Sequence, residues 1–158
     1  MVEEYVMGLH HTDEAVKNFI EKIDSINKPI TFVFYGDHLP GIYWDTSNNN
    51  ILHQTDYFIY SNKYARRHLG RRIYKQYDLV APTDFMSLVQ KQTLTRTTPY
   101  SVLLEKVLDE LPVITTKAAA GSKEESDAAM INDNGELIKY DDLSLSQKEL
   151  YNDYKLVQ

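Results

Sequence analysis

From Glu4 to Ile26 the apolar residues Tyr5, Val6, Leu9, Val16, Phe19, Ile20, Ile23 and Ile26 recur mostly at three- and four-residue steps. One face of a helix requires that spacing, so the pattern predicts an amphipathic helix ending before Pro29. Ile30 to Tyr35 then runs almost without a polar break, which predicts a strand buried on both faces of a parallel sheet and stopped by Gly36. Asp45 to Asn50 is polar and turn-rich, and Thr55 to Ser61 alternates as a second strand does. The run from Lys63 to Lys75 predicts a short helix broken at Gly70, and Tyr77 to Val80 a third short strand. Pro82 with Thr83 as N-cap opens a predicted helix to about Gln92, and Thr98-Pro99 opens another to about Glu110.

The last third is less regular. Lys117 to Asp127 is rich in Ala, Gly, Ser and charge and reads as a loose loop. Met130 to Tyr140 places Asp133-Asn134-Gly135 between two apolar runs, which predicts a hairpin with a type I′ turn. Ser146 to Glu149 matches a capping box ahead of a final helix carrying Leu150, Tyr154 and Val157. Both ends read as cut, the first helix lacking a capping residue and the last still running at Gln158, so the expectation is a piece of a larger protein. The fold class expected from these elements is α/β.

Composition narrows the chemistry. The chain has 158 residues, 42% hydrophobic and 25% charged, within the globular range. No segment approaches the roughly 18 apolar residues of a membrane span or reads as a signal peptide, so the chain alone is expected to be soluble. It has no cysteine, which removes disulfides, thiolate metal sites and thiol nucleophiles and leaves His, Asp and Glu as metal ligands. The net charge is −6, yet Lys63, Arg66, Arg67, Arg71, Arg72 and Lys75 form a run without an acid, so the remainder carries −12. That acidic remainder and the absence of a nucleic-acid motif argue against a nucleic-acid partner.

The sharpest candidate is Tyr35-Gly36-Asp37-His38-Leu39-Pro40-Gly41, just past the first strand. A glycine-flanked turn lets the backbone aim the Asp37 carboxylate and the His38 imidazole at one cation, a donor pair that suits Mn²⁺ or Zn²⁺ and less naturally Mg²⁺. The same spacing fits Asp37 as a turn cap and His38 as an ordinary half-buried histidine. His10 and His11, with Asp13 one turn from His10, fit either a ligand set or a solvated helix face. Thr12, Thr31 and Thr55 are poor nucleophile candidates, since none follows a turn beside a ligand set. Trp44, just beyond the Asp-His loop, fits either contact with substrate or packing.

Several stretches carry a family resemblance. Leu9 to Ile20, Lys28 to Gly41 with its Tyr-Gly-Asp-His-Leu-Pro element, Gln54 to Asn62, Leu79 to Pro82 and Gln147 to Gln158 resemble the lipoteichoic acid synthase-like phosphoglycerol transferases of the sulfatase and alkaline phosphatase superfamily. The resemblance implies part of an alkaline phosphatase-like mixed sheet flanked by helices, with residues 1–115 in the C-terminal portion of the catalytic domain. Residues 116–158 then form its loop, antiparallel hairpin and last helix, or a small subdomain. It also implies a divalent metal, usually Mn²⁺, held in the intact domain by Asp37 and His38 and activating a threonine upstream of this chain. No catalytic residue is expected within the 158 residues, and the chain alone is expected to be inactive.

By the same resemblance, the intact enzyme transfers glycerol phosphate from a lipid-linked donor to a polymer or glycan through a phosphothreonine intermediate. It does so on the extracellular face of the cytoplasmic membrane, with the rest of its own catalytic domain as the chain's first partner. Arg66, Arg67, Arg71 and Arg72 become candidates for contact with anionic lipid or polymer, with a solvated basic helix as the default reading. The rivals are a sulfatase or phosphodiesterase of the superfamily, and a non-catalytic module that binds cell wall or protein.

Overall fold

The computed structural model describes residues 2–37, 52–69, 77–96, 98–116 and 128–158. The chain divides into two compact units, one formed by residues 1–45 and 55–73 and the other by residues 46–54 and 74–158.

The first unit opens with helix α1, Val2–Asp24, followed by strands β1, Thr31–Tyr35, and β2, Tyr57–Ser61, and helix α2, Lys63–Leu69. α1 carries the predicted stripe, and its C-terminal half supplies the buried Ile23 and the Phe19 ring that meets Phe32 edge-on at 5.0 Å. β1 and β2 pair antiparallel from Thr31↔Ser61 to Tyr35↔Tyr57. Phe32, Phe34, Phe58 and Tyr60 therefore share one face, where Phe34 and Phe58 stack at 5.2 Å. This corrects the parallel, doubly buried reading of β1. A short apolar run does not encode strand direction, and Phe34 and Tyr35 are 37% and 41% exposed. α2 ends at Leu69, next to the predicted break at Gly70.

One side chain ties these elements together. Asn62 is fully buried, and its Nδ2 donates to the carbonyls of Ile23 at 2.9 Å, Ile26 at 3.2 Å and Lys28 at 2.9 Å. Its Oδ1 accepts from Ile30 N at 3.2 Å and from Ala65 N at 3.0 Å, the latter serving as the N-cap bond of α2. The end of α1, the start of β1 and the start of α2 are thus fixed to one amide. Beside it, the Asp24 carboxylate accepts from Lys63 N at 2.9 Å and Tyr60 OH at 3.0 Å.

The second unit contains helices α3, Phe85–Thr93, and α4, Pro99–Glu110, strands β3, Val113–Thr116, β4, Ala128–Ile131, and β5, Leu137–Ile138, and helix α5, Leu145–Leu156. Its core is Leu104, Val107 and Leu111 against Leu150 and Tyr154. The Thr98 cap holds as predicted, with Oγ1 accepting from Ser101 N at 3.1 Å and Ser101 Oγ accepting from Thr98 N at 2.7 Å.

Five expectations in this unit are corrected. Tyr77 to Val80 is a bend rather than a strand. The helix expected to open at Pro82 begins with a 3₁₀ turn, Pro82–Asp84, capped by the Asp84 carboxylate accepting from Ala81 N at 2.8 Å and not by Thr83. The capping box of α5 is Ser144 with Gln147, two residues ahead of the predicted one, and the helix stops at Leu156 with Val157 as C-cap.

The hairpin is present, but it closes with Gly135 N donating to Asn132 O at 2.8 Å and Asn132 N to Glu136 O at 3.0 Å. Among its described turn residues only Gly135 has positive φ, 76°, whereas a type I′ turn needs two; the result is a three-residue loop with a glycine bulge. β3, which was not foreseen, completes an antiparallel sheet in the order β3-β4-β5. The residues read as a loose loop, 117–127, lie outside the described residues. Helices with small antiparallel sheets make the expected α/β fold.

Candidate metal centre

Asp37 follows β1 by two residues and is exposed at the strand's carboxyl end. The residue between them was read as a source of backbone freedom, but Gly36 has no positive φ. What it supplies is room. A Cβ placed on Gly36 would lie 2.9 Å from Thr55 Oγ1, 3.1 Å from Thr55 Cγ2 and 3.2 Å from Thr55 Cβ, closer than side chains pack. The ladder ends at Tyr35↔Tyr57, and just beyond it Gly36 lies against the Thr55 side chain. An exposed carboxylate on backbone held in this cradle is a donor suited to a hard divalent cation, so Asp37 fits the expected metal. His38 and Trp44 lie outside the described residues. Among those described, no three His, Asp or Glu side chains group as a metal site.

The other candidates are dispersed. His10 and His11 sit on the exposed part of α1, within 3.7 Å and 4.0 Å of the Glu14 carboxylate, which fits a solvated polar face. Thr12 Oγ1 donates to Gly8 O at 3.0 Å, and Thr31 Oγ1 lies 2.8 Å from Ser61 Oγ, so both hydroxyls have partners within the fold. Of the four arginines, Arg66 and Arg67 are on α2, and Arg71 and Arg72 lie outside the described residues. The Arg66 guanidinium donates to Ser61 O, lies 4.9 Å from the centre of the Tyr60 ring and approaches Asp24 at 3.9 Å. Both arginines are exposed, and Arg66 is in addition tied to its own unit by these contacts. Desolvation raises the pKa of Asp24, but the Lys63 N–H, the Tyr60 hydroxyl and the charges of Lys63 and Arg66 outweigh it and hold the carboxyl below its ordinary value.

A second concavity, in the second unit, has a volume of about 130 Å³ and is lined in part by Tyr77, Asp84, Asp109 and Asp133. Sequence reading missed it because its carboxylates are scattered along the chain. Two are engaged in the fold. Asp109 accepts from Tyr77 OH and from Lys91 Nζ at 2.9 Å and 3.0 Å, and Asp84 holds the Ala81 N–H. Burial pushes the Asp84 carboxyl upward, only partly opposed by that backbone bond.

Helix α1, strand β1 with the Gly36-Asp37 pair after it, and the returning strand β2 all fall within the stretch that the family comparison matches. The chain belongs to the sulfatase family, whose model matches residues 1–89. It is similar to the Streptococcus pyogenes phosphoglycerol transferase GacH, solved in complex with sn-glycerol-1-phosphate, at 32% sequence identity and a TM-score of 0.60. That match covers 92% of this chain and 31% of the GacH chain, so the chain spans about a third of that protein's length. It bears out the resemblance to the lipoteichoic acid synthase-like branch. No curated protein matches the chain.

Proposed function

We propose that this chain supplies Asp37 and His38 to the metal centre of a phosphoglycerol transferase, with the nucleophile and the remaining ligands provided by sequence outside these 158 residues. The observation that carries the reading is the 32% identity to a phosphoglycerol transferase over 92% of the chain. The position of Asp37, exposed at the carboxyl end of β1, supports it. Mn²⁺, or Mg²⁺ or Zn²⁺ in its place, would supply positive charge to the oxygens of a transferring phosphoryl group. Asp37 contributes a hard anionic donor, and the rest of the catalytic domain closes the site. The donor is a lipid-linked glycerol phosphate and the acceptor a polymer or glycan of the cell envelope, handled at the outer face of the cytoplasmic membrane.

The test uses the gene product that contains this chain, incubated with Mn²⁺ and a phosphatidylglycerol donor. Diacylglycerol release is expected from the parent and only background from Asp37→Ala; undiminished release from the variant would sink the reading. The 158-residue chain alone is expected to give no turnover. The sulfatase-family match also favours a second reading, hydrolysis of a sulfate ester, so an aryl sulfate is assayed in parallel. Turnover of the sulfate without glycerol phosphate transfer would select that reading.

A further inference from the structure

We infer that Thr55 is a positioning residue for Asp37, acting through Gly36 by shape; the inference rests on the metal reading given above. The β1–β2 ladder fixes residues only as far as Tyr35↔Tyr57. Beyond it, the Thr55 side chain occupies the volume that a side chain at position 36 would need, with three of its atoms within 2.9–3.2 Å of the absent Cβ. Threonine is β-branched and stiff about χ1, so these atoms form a rigid stop rather than a flexible cover. Thr55 is itself exposed, so burial does not explain its presence. Gly36 has no positive φ, so conformational freedom does not explain the glycine. Mutual fit accounts for both. The backbone at Gly36 sets the direction in which the next residue projects its carboxylate, and a ligand must be held to within about 0.5 Å to bind productively.

The test is a MnCl₂ titration of the isotope-labelled gene product that contains this chain, here the parent, followed by paramagnetic broadening of the Gly36 and Asp37 amide signals, with the melting temperature recorded separately. In the parent these signals are expected to broaden selectively. Thr55→Ala is expected to weaken the response about tenfold, in the range for loss of groups that orient metal ligands. Thr55→Val, which keeps the shape and loses the hydroxyl, is expected to retain it. Gly36→Ala is expected to weaken the response, and Gly36→Ala with Thr55→Gly to recover it, which a general loss of stability would not produce.

Unchanged affinity in Thr55→Ala with β1 and β2 signals in place overturns the inference, as does equal weakening by Thr55→Val. If Thr55→Ala loses the strand signals, the paired variant decides, and failure to recover overturns the inference. No selective broadening in the parent overturns the metal reading itself, and this inference with it.

Discussion

Asn62 and Asp24 show how single polar residues organise the first unit. Replacing Asn62 by Ala leaves three carbonyls and two N–H groups without their amide partner. The expected loss is at least about 3 kcal/mol, since each buried group left unsatisfied costs on the order of 1–3 kcal/mol. Urea denaturation followed by Tyr fluorescence measures it. Asn62→Asp is expected to do no better, because a carboxylate has no donors for the three carbonyls. Asp24 gives the unit an acid limb. Its folded pKa lies below the ordinary 3.8, so its stabilisation is complete above the unfolded value and is lost as pH falls through the folded one. The urea midpoint of the parent should therefore decline as pH drops through and below 3.8, and Asp24→Asn should flatten that decline. Neither role was legible in the sequence: Asn62 follows a strand as any turn residue does, and apart from the local cap bond to Ala65 the partners of both residues lie more than 30 positions away.

At the scale of elements, legibility followed how local the deciding signal is. The helix opened by Thr98-Pro99 was readable because its cap, its proline and its apolar face lie within one segment. Replacing Thr98 by Ala should cost about 1 kcal/mol, measured by urea denaturation, since Oγ1 holds the Ser101 N–H. The start of α5 was misread because Ser144-Leu-Ser-Gln and Ser146-Gln-Lys-Glu are overlapping matches to one motif. Burial of Leu143 brings the chain to the helix at the earlier serine. β3 escaped notice because four residues directly after Pro112 carry too short a pattern, and its partner strand lies across residues 117–127. β1 was readable as a strand, but its direction was not, because pairing is decided by β2 and not by the run itself. The metal candidate divides the same way. The Gly-Asp-His spacing is visible in the sequence, while the reason for the glycine is visible only when Thr55 is placed beside it.

For the whole molecule, the similarity covers nearly all of this chain but a third of the relative, so partners outside the chain enter any account of function. No helix among the described residues is long and apolar enough to cross a membrane. The basic run is the proposed lipid contact; Arg66 and Arg67 are both exposed on α2, and Arg66 is in addition bonded into the fold. Arg67→Glu is expected to reduce co-sedimentation with phosphatidylglycerol vesicles and leave the melting temperature unchanged. Arg66→Glu is expected to lower the melting temperature. Equal vesicle binding by the parent and Arg67→Glu would assign no lipid contact to α2.

The Asn62 amide reaches back 39, 36 and 34 positions for its carbonyls. None of those bonds can form until segments far apart in sequence have met, and such encounters are slower than the winding of a helix. Refolding of this half of the chain should therefore be set by that meeting. Helical signal would return early, and protection of the Ile30 amide, which bonds to Asn62 Oδ1 across 32 positions, would come late.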